Sequence, residues 1–499
     1  MKKTPVTQED RFYRLAFCCF FLVAAIIRFP FIFQDSLWSD EGLYSWFGKR
    51  IFTDPFVIFS PEITASHPPL FSVFLAIAHI FFPSPLACHF IPFVFYLLGI
   101  VAIYHFGKKI QGSFVGLFAA ITLALNYYYF VYSIRILIDG PLMVFCILYA
   151  TVLLKIHEKN NYLYDIVVGL LGSAIVLLKS SGIIIVPWML TIYLFGAQGK
   201  TPFMSRLKKF FIPFFIVGAT IFALLIKNYY QSGTIHPAGP TINLNYFHDF
   251  QLLLSEIYHL INSPFLLSLF FIGLISSGEK NNRVVLWSWL GIFFLGLLSG
   301  GVKEIRYDLM VLPPVLILCG IGFERVINIL TNRLPFLSKK IFKKIVILFL
   351  FIFSLILFRN VPNDLSRGEK FAIGYARAGQ WVKENNSPNA LIIAGSERQI
   401  RYYSDVNYKE YGGQIVAFRQ NKEDFEKLIQ NTNGPVLLVI DVWEVLQPQW
   451  AWHVKRQTID YLKREGFQFR GVVECQNYFG RDQKLGAIFV FRKEGMKRF

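Results

Sequence analysis

Apolar runs long enough to cross a bilayer recur through the first three-quarters of this chain. A helix rising about 1.5 Å per residue needs about 20 apolar residues to span a hydrocarbon layer of about 30 Å. The runs are continuous rather than alternating, so helices, not a closed barrel, must satisfy the backbone in lipid. The pattern predicts spans near 13–32, 87–106, 113–133, 138–156, 164–178, 182–197, 209–227, 264–276, 284–300, 308–323 and 343–358. A shorter stretch, 68–82, fits either a span or a half-buried helix. The expectation is a polytopic all-α membrane protein with about 11 to 13 transmembrane helices.

Composition agrees. Hydrophobic residues make up 54% and charged residues only 16% of the 499, with a mean hydropathy of +0.46; a soluble domain carries about 25% charge. The net charge of +18 would suit a nucleic-acid binder, but the basic residues sit beside the apolar runs. That is the charge bias of cytoplasmic loops, so no nucleic-acid partner is expected. The six cysteines imply no disulfide framework: five lie in or beside apolar runs and Cys475 is alone in the polar tail. The N-terminal run lacks a small-residue cleavage site and is read as a retained first helix.

Orientation follows from the basic loops. Lys2, Lys3, Arg11 and Arg14, then Lys108 and Lys109, then Lys200, Arg206, Lys208 and Lys209, then Lys339, Lys340, Lys343 and Lys344 should all be cytoplasmic. Counting spans from them brings six regions to the opposite face: 34–67, Arg135 with Asp139, Lys179, the 228–263 loop, Gly300–Tyr307, and the tail from 359. The count needs an odd number of crossings over 68–106. So either 68–82 does not cross, or a further short helix lies near 113–135. The tail alternates helix-like segments (YARAGQWVKENN, NKEDFEKLIQN) with strand-like ones (ALIIAG, PVLLVIDV, FQFRGVVE, KLGAIFVFRK). This predicts two domains: a transmembrane domain over 1–358 that includes outer loop 34–67, and a small extracytoplasmic α/β domain over 359–499.

Polar residues on that outer face are the candidates for chemistry. Asp40 and Glu41 follow the first span among Trp38, Tyr44 and Trp46; a helix there puts Asp40, Tyr44 and Phe47 on one face. They read as a base for an attacking hydroxyl, or as surface acids in an interfacial aromatic belt. His67 before two prolines reads as a phosphate ligand or as a plain helix junction. Arg135 and Asp139, at i and i+4, would share a helix face at a span end, as substrate contacts or as an anchoring ion pair. Lys179 interrupts an apolar region and is followed by Ser-Ser-Gly, which would let backbone approach a ligand; snorkelling is the competing account. Lys303, Arg306 and Tyr307, with Glu304 and Asp308, break the charge bias on the outer face, as an anionic headgroup would require unless the acids neutralise them locally. His236, His248 and Asp249 match no metal-ligand spacing, and no phosphate-binding glycine loop is present.

Taken in order, the Asp-Glu pair, His-Pro-Pro, Ser-Ile-Arg-x-x-x-Asp, Lys-Ser-Ser-Gly and Lys-x-x-Arg-Tyr resemble the GT-C type membrane glycosyltransferases. The resemblance is to the family of dolichyl-phosphate-mannose protein mannosyltransferases and lipid A aminoarabinose transferases. It implies a plasma (inner) membrane enzyme. Such an enzyme moves a sugar, with inversion, from a polyprenyl-phosphate donor to a hydroxyl of an envelope glycan, lipid or protein on the extracytoplasmic face. It further implies Asp40, with Glu41 beside it, as the acid that activates the acceptor and Asp139 as a second acidic site residue. Arg135, Lys179 and Arg306 would surround the lipid phosphate, with Tyr307 adding a hydrogen bond and His67 and Lys303 on the substrate. The matched residues imply no cofactor, the polyprenyl-phosphate sugar being a donor substrate, and leave divalent-metal dependence open. His67 stands where the lipid A branch often has lysine, and no insertion could hold the β-trefoil domain of the protein mannosyltransferase branch, so neither named activity is implied over a general member. A transporter or flippase of lipid-linked sugars is the alternative, since charged residues near spans also line translocation routes. A structural subunit that contacts headgroups is a third reading.

Overall fold

The computed structural model describes residues 8–33, 37, 39–60, 68–82, 86–156, 161–196, 202–232, 261, 263–276, 280–299, 305–333, 338–358, 374–387, 389–405, 414–441, 448–454, 456–475 and 485–495. His67, Lys303, Glu304, His236, His248 and Asp249 lie outside the described residues. The chain divides into two compact units: Met1–Ile32 with Ile51–Ala78 and His89–Arg359, and Phe33–Arg50 with His79–Cys88 and Asn360–Phe499.

The first unit is helical, and every run read as a span is helix in it. Gln8–Phe33, Leu86–Gln111, Phe203–Tyr230 and Leu312–Arg333 are long and apolar enough to cross a membrane. Ser113–Leu125 and Tyr127–Ile134 form a further candidate, bent by 61°. Shorter apolar helices include Leu70–His79, Asp139–Leu153, Tyr162–Leu178 and Pro264–Ser276. The protein is therefore a multi-pass membrane protein, mostly helical, as its hydropathy predicts. Both elements invoked for the span count exist. Leu70–His79 has 10 residues, about half of what the hydrocarbon core requires, and Tyr127–Ile134 is a separate short helix. Asn126 makes the bend: it ends one helix and caps the next, its side chain accepting from the Tyr129 amide at 2.9 Å.

Lipid gives apolar helices little reason to associate, so close approach and dispersion must hold them together. The pair Pro264–Ser276 and Leu312–Arg333 meets backbone to backbone through Gly273 and Gly322. A methyl group on Gly273 would lie 1.8 Å from the Leu318 carbonyl oxygen, and one on Gly322 2.0 Å from that of Leu269. Gly273→Ala must therefore push the helices apart, and is expected to cost about 1–3 kcal/mol. The check is a fall in unfolding temperature in lipid nanodiscs that an alanine at Gly291, where a Cβ meets nothing within 4 Å, does not produce.

The second unit contains the helix Ser39–Thr53 up to Arg50 and a five-stranded mixed sheet in the tail. Its strands, β1 (Leu391–Ala394), β2 (Gln414–Ala417), β3 (Val436–Asp441), β4 (Gln468–Cys475) and β5 (Leu485–Lys493), run in the order β2-β1-β3-β5-β4. β1 pairs in parallel with β2 and β3, and β5 pairs antiparallel with β3 and β4. Every residue of β1 and β3 is buried, because helices cover both faces. On one side Tyr375, Ala378, Val382 and Ile400 pack on Ile392, Leu437 and Val439. On the other, Phe425, Ile429, Tyr461 and Leu462 pack on Leu391, Ile393, Val436 and Leu438. The small α/β fold read from the tail is thus present. The sequence reading missed β2 and the helices Glu397–Ser404 and Arg456–Arg464, which are only 4, 8 and 9 residues long.

Candidate functional site

The first unit assembles one polar cluster from three chain breaks. The segment 135–138 is not helical: Arg135 caps the end of Tyr127–Ile134, and Asp139 opens Asp139–Leu153. The expectation of an Arg135–Asp139 pair on one helix face is therefore corrected. Pro141 sits in the first turn of the new helix, where its missing amide hydrogen forfeits no intrahelical bond. Lys179 caps Tyr162–Leu178 in an extended conformation and is followed by a 3-10 turn, Ser180–Ile184. Gly182 fits because its amide closes on the Lys179 carbonyl at 2.8 Å. A Cβ there would lie 2.7 Å from the Ile175 carbonyl oxygen. The glycine thus lets the turn close against its own helix. Arg306 and Tyr307 sit on the 3-10 turn Ile305–Met310. Its last carbonyl accepts from Trp289 Nε1 at 2.9 Å, and Trp289 packs on Trp188 with ring centroids 4.9 Å apart.

These breaks bring Asp139, Lys179, Arg306 and Tyr307 together. The Lys179 ammonium donates to Asp139 Oδ1 at 2.9 Å and lies 3.8 Å from the centre of the Tyr307 ring. The Arg306 guanidinium carbon lies 5.3 Å from the centre of the same ring. Asp139 is buried, its side chain only 2% exposed, while the Lys179 side chain keeps 17%. Arg306 and Tyr307 are half-buried. A cation between a carboxylate and an aromatic face is held by both. Arg135 is buried in the break that precedes Asp139. Behind it, fully buried Arg28 donates through Nη2 to the Ser133 carbonyl at 2.7 Å and fixes the start of that break. The reading from sequence passed over Arg28, although a charge at the end of an apolar run was its signal.

In the second unit Asp40 and Glu41 lie in the first turn of Ser39–Thr53. Neighbours on a helix point about 100° apart, and the two acids differ accordingly: Glu41 is buried at 0% exposure, whereas the Asp40 side chain retains 27%. Tyr44 and Phe47 are buried. Asp40 Oδ1 accepts from Arg398 Nη1 at 2.5 Å. Nothing in the polar stretch around Arg398 marks it in the sequence.

The fold is that of the GT-C type membrane glycosyltransferases. Residues 66–228 match the family model described as dolichyl-phosphate-mannose-protein mannosyltransferase. Among solved structures, the chain is similar to ArnT from Cupriavidus metallidurans in its apo state, at 12% identity over 95% of this chain and 97% of that one, with a TM-score of 0.65. The same protein bound to undecaprenyl phosphate matches over the same shares with a TM-score of 0.63. The archaeal oligosaccharyltransferase AglB from Archaeoglobus fulgidus, in complex with an inhibitory peptide and a dolichol-phosphate, is 13% identical over 85% of this chain and 69% of that one, with a TM-score of 0.60. Comparison with curated protein sequences returns no match. The likeness read from the sequence motifs is borne out; at these identities the solved structures speak for the fold.

Proposed function

We propose that this protein is an inverting glycosyltransferase of the plasma membrane that moves a sugar from a polyprenyl-phosphate donor to a hydroxyl of an envelope glycan, lipid or protein. In this reading residues 1–358 form the catalytic membrane domain, and the tail over 359–499 faces the extracytoplasmic side. The observation that carries it is the cluster of Lys179, Asp139, Tyr307 and Arg306 at helix ends. Buried or half-buried cations at such positions suit the phosphate of a lipid whose tail stays in the bilayer. The structures of ArnT with undecaprenyl phosphate and of AglB with a dolichol-phosphate support the donor class.

The acceptor oxygen attacks the anomeric carbon as the bond to the phosphate oxygen breaks. The electron pair leaves with the phosphate, and Lys179, Arg306 and Arg135 stabilise the negative charge that grows there. Asp40 takes the acceptor proton. Asp139 holds Lys179 in place, and Tyr307 braces both Lys179 and Arg306. Glu41, fully buried, supports the helix that carries Asp40. His67 and Lys303 remain candidates for donor contacts. One displacement at one face needs a single base and a cationic clamp, without the paired carboxylates of a retaining hydrolase.

The test is incubation of purified protein in nanodiscs with a total lipid and envelope extract, followed by mass spectrometry. Release of free polyprenyl phosphate with appearance of a glycosylated product is expected, and the product mass gives the acceptor class. A lipid-linked sugar that crosses the bilayer unchanged, with no new glycosidic bond, would refute transfer.

A further inference from the structure

The α/β unit makes a polar and backbone contact with the helix that carries Asp40, and the contact has a consistent register. Along Ser39–Thr53 the residues Asp40, Gly42, Trp46 and Lys49 meet Arg398, Gln399, Arg401 and Asp405 in the same order. Asp40 Oδ1 accepts from Arg398 Nη1 at 2.5 Å. A Cβ on Gly42 would lie 3.0 Å from the Cα of Gln399, so the two backbones touch. The Arg401 guanidinium carbon lies 5.4 Å from the centre of the Trp46 ring, and Lys49 Nζ lies 2.5 Å from Asp405 Oδ1. The ion pairs at the two ends have opposite polarity, so a slip of one helix along the other loses both. Complementary charges at the two ends thus fix the register.

The helix Glu397–Ser404 is itself anchored to the sheet. Asp441, fully buried at the end of β3, accepts from the Ser396 hydroxyl and from the Tyr375 hydroxyl, the latter at 2.6 Å. Ser396 immediately precedes the helix. Arg401 donates to Glu397 at 2.8 Å and to the β2 carbonyl of Ile415 at 2.9 Å. Rigid support from β3 and β2 therefore reaches Arg398, whose neighbours have other engagements: Glu397 with Arg401, Arg401 over Trp46, Lys49 with Asp405, and Glu41 buried.

We infer that Arg398 of the tail is a positioning residue for Asp40, fixing the carboxylate's orientation and holding it ionised for proton transfer. This rests on the proposal that Asp40 is the base. A carboxylate beside a fixed cation ionises more readily, and a base that must be unprotonated at neutral pH gains from it. The tail then acts in the chemistry by holding a residue from a helix far away in sequence.

The test is the pH dependence of polyprenyl phosphate release from the same lipid extract by wild type, R398Q, R398K and D40N, with unfolding temperatures of D40N, R398Q and the double variant. R398Q should move the acidic limb of the rate profile upward by up to about 0.7 pH unit, the largest shift that a part-exposed pair of about 0–1 kcal/mol allows, with R398K giving a smaller shift, and the unfolding shifts should be less than additive. An acidic limb unmoved in R398Q while D40N is inactive overturns the inference and leaves the base assignment standing. A D40N protein as active as wild type overturns both. Additive unfolding shifts overturn the pairing without reference to activity. If R398Q does not fold, the neutral R398M is read in its place, and an unmoved limb there overturns the inference equally.

Discussion

Asp40→Asn is expected to lower sugar transfer by about 10²–10⁴-fold while the protein still inserts and unfolds cooperatively. Asparagine keeps the shape and one acceptor oxygen of aspartate but cannot take a proton, so the loss falls on the reacting hydroxyl. The structural cost is small, because the ion pair with Arg398 is partly exposed, at 27% and 26% of the two side chains, and pairs of that kind are worth about 0–1 kcal/mol. Glu41→Gln is the informative companion. Glu41 has no exposure, so its replacement should lower the unfolding temperature more than D40N does and the rate per folded molecule less. Release of free polyprenyl phosphate, measured beside circular dichroism in the same nanodiscs, separates the two. D40N retaining wild-type rate would remove Asp40 from the chemistry.

Lys179→Met should be the most damaging single change in the membrane unit, because it harms both stability and donor handling. Asp139 has 2% side-chain exposure and its ion pair with Lys179 is 2.9 Å long. Removing one partner of a buried pair leaves the other charge uncompensated, at a cost of about 3–5 kcal/mol. Asp139→Asn should destabilise in the same way, and D139N/K179M should be less destabilised than the sum of the two, since the stranded charge is gone. Activity should not recover in the double variant. An ammonium aimed at a leaving phosphate contributes about 2.7–4 kcal/mol to the transition state, and methionine carries no charge. Single-turnover rates with saturating donor, compared with unfolding midpoints, read the two effects apart. If the double variant regains wild-type transfer along with stability, Lys179 is only a structural partner of Asp139 and the phosphate clamp must be sought elsewhere.

The membrane class and its helices were legible because lipid leaves few options: an apolar run of sufficient length must form a helix to satisfy its own backbone. The alternating tail was legible where its elements are long or fully apolar, as in β3, and illegible where they are short, as in β2 and Glu397–Ser404. Within the site, Asp139, Lys179, Arg306 and Tyr307 stood out because charge is costly at span ends. Their mutual arrangement did not. The spacing of Arg135 and Asp139 suggested one helical face, and the chain breaks between them. That Gly182 closes against the Ile175 carbonyl was likewise not legible.

What the sequence determined alone, then, is the solvent each segment lives in, and so a polytopic helical chain with a polar α/β tail. Hydropathy and backbone satisfaction act locally, and a window of some 20 residues contains all they need. What only the tertiary structure decided is which charges meet: Lys179 with Asp139 across 40 residues, and Asp40 with Arg398 across 358. Those pairings depend on where helices break and on how a sheet orients a short helix, and neither is encoded within reach of the residues that it brings together.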